Sequence, residues 1–145
     1  MESSFWFECK VALDLEENGK IKKVRQTYLV DSMTFADAEE RITDEVGPLS
    51  RGEFMVEDIK RARYSELFVS DEEDDDKWYK ARIDTLYVDI DTEKEKHISR
   101  NILVQAKTLE GAQKRLKQGM HGSVEDYVVM SIQETRIMDV LFMEA

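Results

Sequence analysis

The residues of this chain that could do chemistry are a handful of acids, two histidines, one cysteine, two tryptophans and one basic stretch. Asp71-Glu72-Glu73-Asp74-Asp75-Asp76 places six acids in a row. A bound cation needs oxygens that converge, and consecutive carboxylates on a connecting segment diverge, so the run reads as a solvated linker or turn. Asp89, Asp91 and Glu93 alternate like the first ligands of a calcium loop, but Lys94 stands where such a loop needs glycine and Arg100 where it needs glutamate. That excludes an EF-hand. Neither His97 nor His121 has a second histidine or cysteine at ligand spacing, so neither is expected to hold zinc. Cys9 falls on the apolar parity of its strand and reads as a small core residue rather than a nucleophile.

Two features point to binding instead. Trp6 and Trp78 share parity with charged neighbours (Glu8 and Lys10; Lys80 and Arg82). A tryptophan on a wet face marks a binding surface, unless the two rings cover the sheet edges or meet each other across a pseudo-two-fold. The stretch Ile59-Lys60-Arg61-Ala62-Arg63-Tyr64 gathers three cations and an aromatic in a chain of net charge -11. It could meet phosphate or an acidic partner, or pair across strands with Glu57, Asp58 and Glu66. Lys60, Arg61, Arg63, Tyr64, Trp6 and Trp78 are therefore the candidate partner-binding residues. No G-x-S-x-G, P-loop, G-x-G-x-x-G or H-E-x-x-H is present. The expectation is a protein that is not an enzyme, with no catalytic residue, no cofactor and no metal.

These residues sit on a repeated scaffold. Trp6-Phe7-Glu8-Cys9-Lys10-Val11 resembles Trp78-Tyr79-Lys80-Ala81-Arg82-Ile83, Tyr28-Leu29-Val30 resembles Ile102-Leu103-Val104, and Phe54-Met55-Val56 resembles Tyr127-Val128-Val129. The helical stripe Phe35, Ala38, Ile42, Val46 returns as Leu109, Ala112, Leu116, Met120. Thr34 and Thr108 stand at the same N-cap position, and Gly47 and Gly119 follow as helix stops at positive φ. The spacing predicts a tandem duplication of a β-β-α-β unit. Its parts are a first repeat over 1–70, an acidic linker over 71–77 and a second repeat over 78–145, folded as one compact unit. Strands are expected at about Phe5–Leu15 and up to Val30, from Phe54 bending on to Phe68, then over Trp78–Ile90, His97–Ala106 and Tyr127–Phe142. Asn18-Gly19 signals the first hairpin. The fold class is α+β, with antiparallel sheets, one helix per repeat and a pseudo-two-fold.

A chain of 145 residues with one cysteine supports a core without disulfides and suits a reducing, cytoplasmic setting. The stretch Met1–Trp6 lacks the pattern of a signal peptide, and no apolar run is long enough to span a bilayer. The negative charge disfavours nucleic acid and anionic membranes, and favours a basic partner or mimicry of a polyanion.

Trp6-Phe7-Glu8-Cys9-Lys10, Tyr28-Leu29-Val30-Asp31, Thr34-Phe35-Ala36-Asp37-Ala38-Glu39, Ile59 to Glu66 and Ile137-Met138-Asp139-Val140 together resemble an uncharacterised domain-of-unknown-function family (DUF4494 type) of gut anaerobic bacteria and their phages. The resemblance covers nearly the whole chain and implies an accessory role without a mechanism. The expected function is a small acidic cytoplasmic binding module, a protein-binding adaptor or regulator able to form a homodimer through a sheet edge. The alternatives are an acidic DNA mimic that inhibits a nucleic-acid-binding enzyme, and a single-stranded nucleic-acid binder using sheet aromatics.

Overall fold

The computed structural model describes residues 4–123 and 125–143. Met1–Ser3, part of the stretch read for a leader, lie outside them. The chain forms two four-stranded sheets, each with one helix. Strand β1 (Phe5–Glu17) alternates so that Phe7, Cys9, Val11 and Leu13 are buried. It turns at Asn18-Gly19, both at positive φ (54° and 77°), as a two-residue hairpin loop requires. It then pairs with β2 (Lys20–Ser32) over its whole length. Helix α1 (Phe35–Val46) follows, and β3 (Phe54–Ala62) returns to pair with the other side of β1.

The second repeat retraces this path. Strands β5 (Lys77–Val88) and β6 (Glu95–Ala106) form its hairpin, α2 (Leu109–Gly119) covers it, and β7 (Asp126–Glu134) pairs with β5. The duplication therefore holds element by element. Both edge strands bulge at the same place, opposite Lys10/Val11 in one sheet and Arg82/Ile83 in the other. Thr34 and Thr108 cap their helices as expected, accepting from Asp37 N at 3.1 Å and Gly111 N at 3.0 Å. Ala38, Ile42 and Val46 are buried under α1, and Ala112, Leu116 and Met120 under α2. The first stripe residues, Phe35 and Leu109, are half exposed; Phe35 rests edge-on against Phe7, ring centroids 4.8 Å apart.

Three expectations change. Neither helix ends in a left-handed glycine. Gly47 is right-handed (φ -50°) and leads into a 3-10 turn with Pro48, while Gly119 is the last residue of α2. Gly119 is needed for a different reason: a Cβ there would lie 2.5 Å from the ring of Phe68.

The third strand of each repeat is not continuous, and the sheets are not wholly antiparallel. The β1–β3 pairing ends at Trp6 opposite Ala62, one residue from the start of β1. Beyond that point the chain has no antiparallel partner. It breaks, and β4 (Glu66–Phe68) pairs in parallel with β6. After β7 the chain does the same: β8 (Ile137–Leu141) pairs in parallel with β2. The sheet orders are β3-β1-β2-β8 and β4-β6-β5-β7. Each repeat thus gives its last strand to the sheet of the other.

The compact units consequently cut across the sequence repeats. One comprises Met1–Arg63 with Arg136–Ala145, the other Tyr64–Thr135. The acidic stretch expected as a linker between repeats lies inside the second unit, between β4 and β5.

Candidate functional site

The six candidate binding residues are divided between the two units, Trp6, Lys60, Arg61 and Arg63 in the first and Tyr64 and Trp78 in the second. Strand alternation sends Lys60 and Arg61 to opposite faces of β3. Lys60 stands across from Glu8 and pairs with it at 3.2 Å. Arg61 stands across from Phe7, with its guanidinium 4.0 Å over the ring of Phe5. Arg63 is exposed at the end of the first unit, and half-buried Tyr64 begins the second. Most of the stretch is thus occupied by cross-strand and ring contacts. Trp6 is half-buried, edge-on to Phe142 at 5.7 Å. Trp78 is only 3% exposed, and its carbonyl accepts from both N and Oγ1 of Thr135 at 2.8 Å. Parity assigns a residue to a face of a sheet but does not say whether that face is covered. Trp78 is therefore covered rather than a contact residue, and Trp6 and Trp78 do not form an exposed pair for stacking bases.

The acidic stretch is more ordered than a solvated run. Asp75 accepts from Arg115 at 3.0 Å and from the Ser70 hydroxyl. Gln105 takes Ser70 N and donates to the Asp75 carbonyl, each at 2.9 Å. Asp89 organises the second hairpin turn, accepting from the N–H groups of Asp91 and Thr92 and meeting Lys96 at 3.0 Å. The Lys96 contact first, and the backbone donors next, hold its carboxyl below the usual range. No group of His, Cys, Asp and Glu able to hold a metal occurs among the described residues. Burial, with Glu8 and Asp58 nearby, pushes the Cys9 thiol up to about 12. A group held neutral in that way is no nucleophile.

The feature that single-residue reading misses is strand β7. It is an edge strand nine residues long. Between Asp126 and Glu134 it carries no charge: Tyr127-Val128-Val129-Met130-Ser131-Ile132-Gln133. Val128, Val129 and Met130 are 45%, 40% and 53% exposed. Beside it lies a groove of about 300 Å³ lined by Leu116, Lys117, Gln113, Tyr127, Val129 and Ile132. The equivalent edge, β3, is guarded. Its bulged position holds Glu57, paired with Arg25 at 2.9 Å, and Asp58, Lys60 and Arg61 follow. The other two edges, β4 and β8, span three and five residues. Natural sheets protect long edges with charge, bulges or shortness. Of the four edges in these sheets, β7 alone is both long and free of internal charge. The signal was present in the repeat comparison, as Met130 and Ser131 against Glu57 and Asp58.

The fold defines a duplicated α+β protein with exchanged terminal strands. The chain belongs to the family described as "Domain of unknown function (DUF4494)", whose profile matches residues 5–143. No curated protein matches it, and no solved structure does. Among the described residues, no helix is long and apolar enough to cross a membrane.

Proposed function

We propose that this protein is a binding module for another protein, acting as an adaptor or regulator, and that β7 receives an extended segment of the partner as an added strand. The observation that carries this reading is the long edge of β7, bulged like β3 but free of internal charge, beside its apolar groove. An added strand would take up the outer backbone N–H and C=O groups of β7, while its alternate side chains reach the groove. Affinity would come from the backbone ladder and selectivity from the groove. The net charge of -11 favours a partner with a complementary basic surface. The resemblance to proteins of gut anaerobes and their phages, together with the single cysteine, supports a cytoplasmic role in such an organism.

The test is selection of random twelve-residue peptides on the full chain. Peptides with alternating apolar residues should be enriched, and binding should slow amide exchange along β7. Met130→Glu, which copies Glu57 at the bulge of the β3 edge, combined with Val128→Lys, which adds a second charge to the strand, should abolish capture while leaving the thermal transition in place. Enrichment that the double variant does not disturb would refute the site. Self-association that is lost in the same variant would identify the partner segment as belonging to a second copy.

A further inference from the structure

In each sheet one face turns away from the helix, and the two faces share a framework but not a chemistry. On the first, Glu8 stands across from Lys60 and Lys10 across from Asp58, and Glu8 and Lys60 form an ion pair at 3.2 Å. Charges there are compensated. On the second, the same register places Lys80 across from Gln133 and Arg82 across from Ser131. Both carboxylates have gone, and a lysine occupies the position of Glu8. The result is a concave site of about 400 Å³. It is lined by Lys80, Arg82, Ser99, Arg100, Asn101, Ser131 and Gln133.

The cations here are only loosely engaged, and the Arg82 guanidinium donates one long hydrogen bond, to Ser99 Oγ at 3.4 Å. The Lys80 ammonium forms no ion pair or hydrogen bond among the described residues. The Arg82 guanidinium lies 4.0 Å from Asp84, whose carboxylate is already held by the Ser99 hydroxyl at 2.6 Å. The Arg100 guanidinium is directed elsewhere, to Glu66 at 3.6 Å and Met120 Sδ at 3.8 Å.

We propose that this face of the second sheet binds a small phosphorylated molecule, with the phosphate between Lys80 and Arg82. A phosphate monoester carries about two charges and three acceptor oxygens. Two cations, two carboxamides and the Ser131 hydroxyl on one face match that demand better than they match a carboxylate, whose two oxygens one arginine fork satisfies. The volume fits a metabolite-sized ligand. A nucleic-acid backbone would extend beyond the site into the field of a strongly acidic protein, which repels it.

The experiment is a titration of the isotopically labelled full chain, followed by amide shifts at constant ionic strength. The probes are inorganic phosphate and phenyl phosphate, with acetate and chloride as references. Both phosphates should give saturable shifts confined to residues around 80, 82, 99, 101, 131 and 133. Half-saturation is expected in about the millimolar range, as for a single-anion contact. Lys80→Glu with Gln133→Lys rebuilds the ion pair of the first sheet and should weaken phosphate at least about tenfold. Arg82→Gln, a single exposed change, should do likewise and serves if the double variant does not fold. Shifts that rise without saturating, unchanged affinity in a folded variant, or equal binding of acetate would each overturn the proposal.

Discussion

Replacing Gly119 with alanine sets two effects of opposite sign against each other. Gly119 ends α2, and in a helix interior alanine is favoured over glycine by about 1 kcal/mol. Propensity alone predicts a more stable protein. Packing predicts the reverse. The new Cβ would lie 2.5 Å from Phe68 Cε2 and 2.7 Å from both Cδ2 and Cζ. Carbon atoms pack at about 3.5–4.0 Å, so the ring would have to retreat by roughly 1 Å. Phe68 belongs to the three-residue strand β4, held by a short parallel ladder to β6, so its retreat strains that pairing. Overpacking of this kind costs about 1–3 kcal/mol. The gain at a terminal helix position is smaller than in the interior, so the net expectation is a loss of about 1–2 kcal/mol. Urea unfolding should show a lower midpoint with an unchanged slope. Phe68→Leu should relieve the clash, because Leu141 occupies the corresponding place in β8. The double-mutant cycle should then give a coupling of at least about 0.5 kcal/mol. A Gly119→Ala protein more stable than the parent, or strictly additive effects, would refute the packing argument.

The remaining predictions concern the core, the caps and the ordered acidic loop. Cys9 and Tyr28 both have their pKa values raised, chiefly by burial, so each binds its proton more tightly folded than unfolded. Their contribution to stability is complete below the unfolded values and is lost as pH rises through the folded ones. Thermal transitions should therefore fall as pH is raised from about 9 towards 12, and Cys9→Ala, which copies Ala81, should make that fall shallower. In the folded protein at pH 8, Cys9 should resist iodoacetamide, and rapid labelling would contradict its burial. Thr34→Ala and Thr108→Ala should each cost about 1 kcal/mol by chemical denaturation, and no change at either would deny the cap its role. Asp75→Asn should speed proteolysis within residues 69–76 by weakening the Arg115 contact, and an unchanged cleavage rate would show that Gln105 holds the loop alone.

The duplication was legible because burial imposes period: Phe7-x-Cys9-x-Val11 and the i, i+4 spacing of Ala38 and Ile42 must recur wherever the same packing recurs. The strand exchange was not. The apolar runs through Phe68 and Phe142 showed that extended chain continued, but strand pairing is non-local, and nothing in Glu66-Leu67-Phe68 names Ile102–Val104 as its partner. The same limit applies to Trp78: alternation gives its parity, whereas its cover comes from non-local packing. The basic stretch misled because composition ignores alternation, and Lys60 and Arg61 diverge for that reason alone. The more informative surfaces, β7 and the Lys80–Arg82 face, emerge only when the two repeats are compared position by position with their register known.

The exchanged strands have a consequence for how the chain is made. The sheet built on β1 and β2 does not receive its last strand until residues 137–141 exist. During synthesis the first unit must wait, with the edge of β2 open, while the whole of the second repeat emerges. The same arrangement means that neither repeat can be excised intact: a fragment ending near residue 70 would carry a β4 strand with no β6 to join. Such fragments would be completed by each other. Two half-chains produced separately should therefore recognise one another through the strands they lack, and a single repeat alone should recruit a second copy of itself.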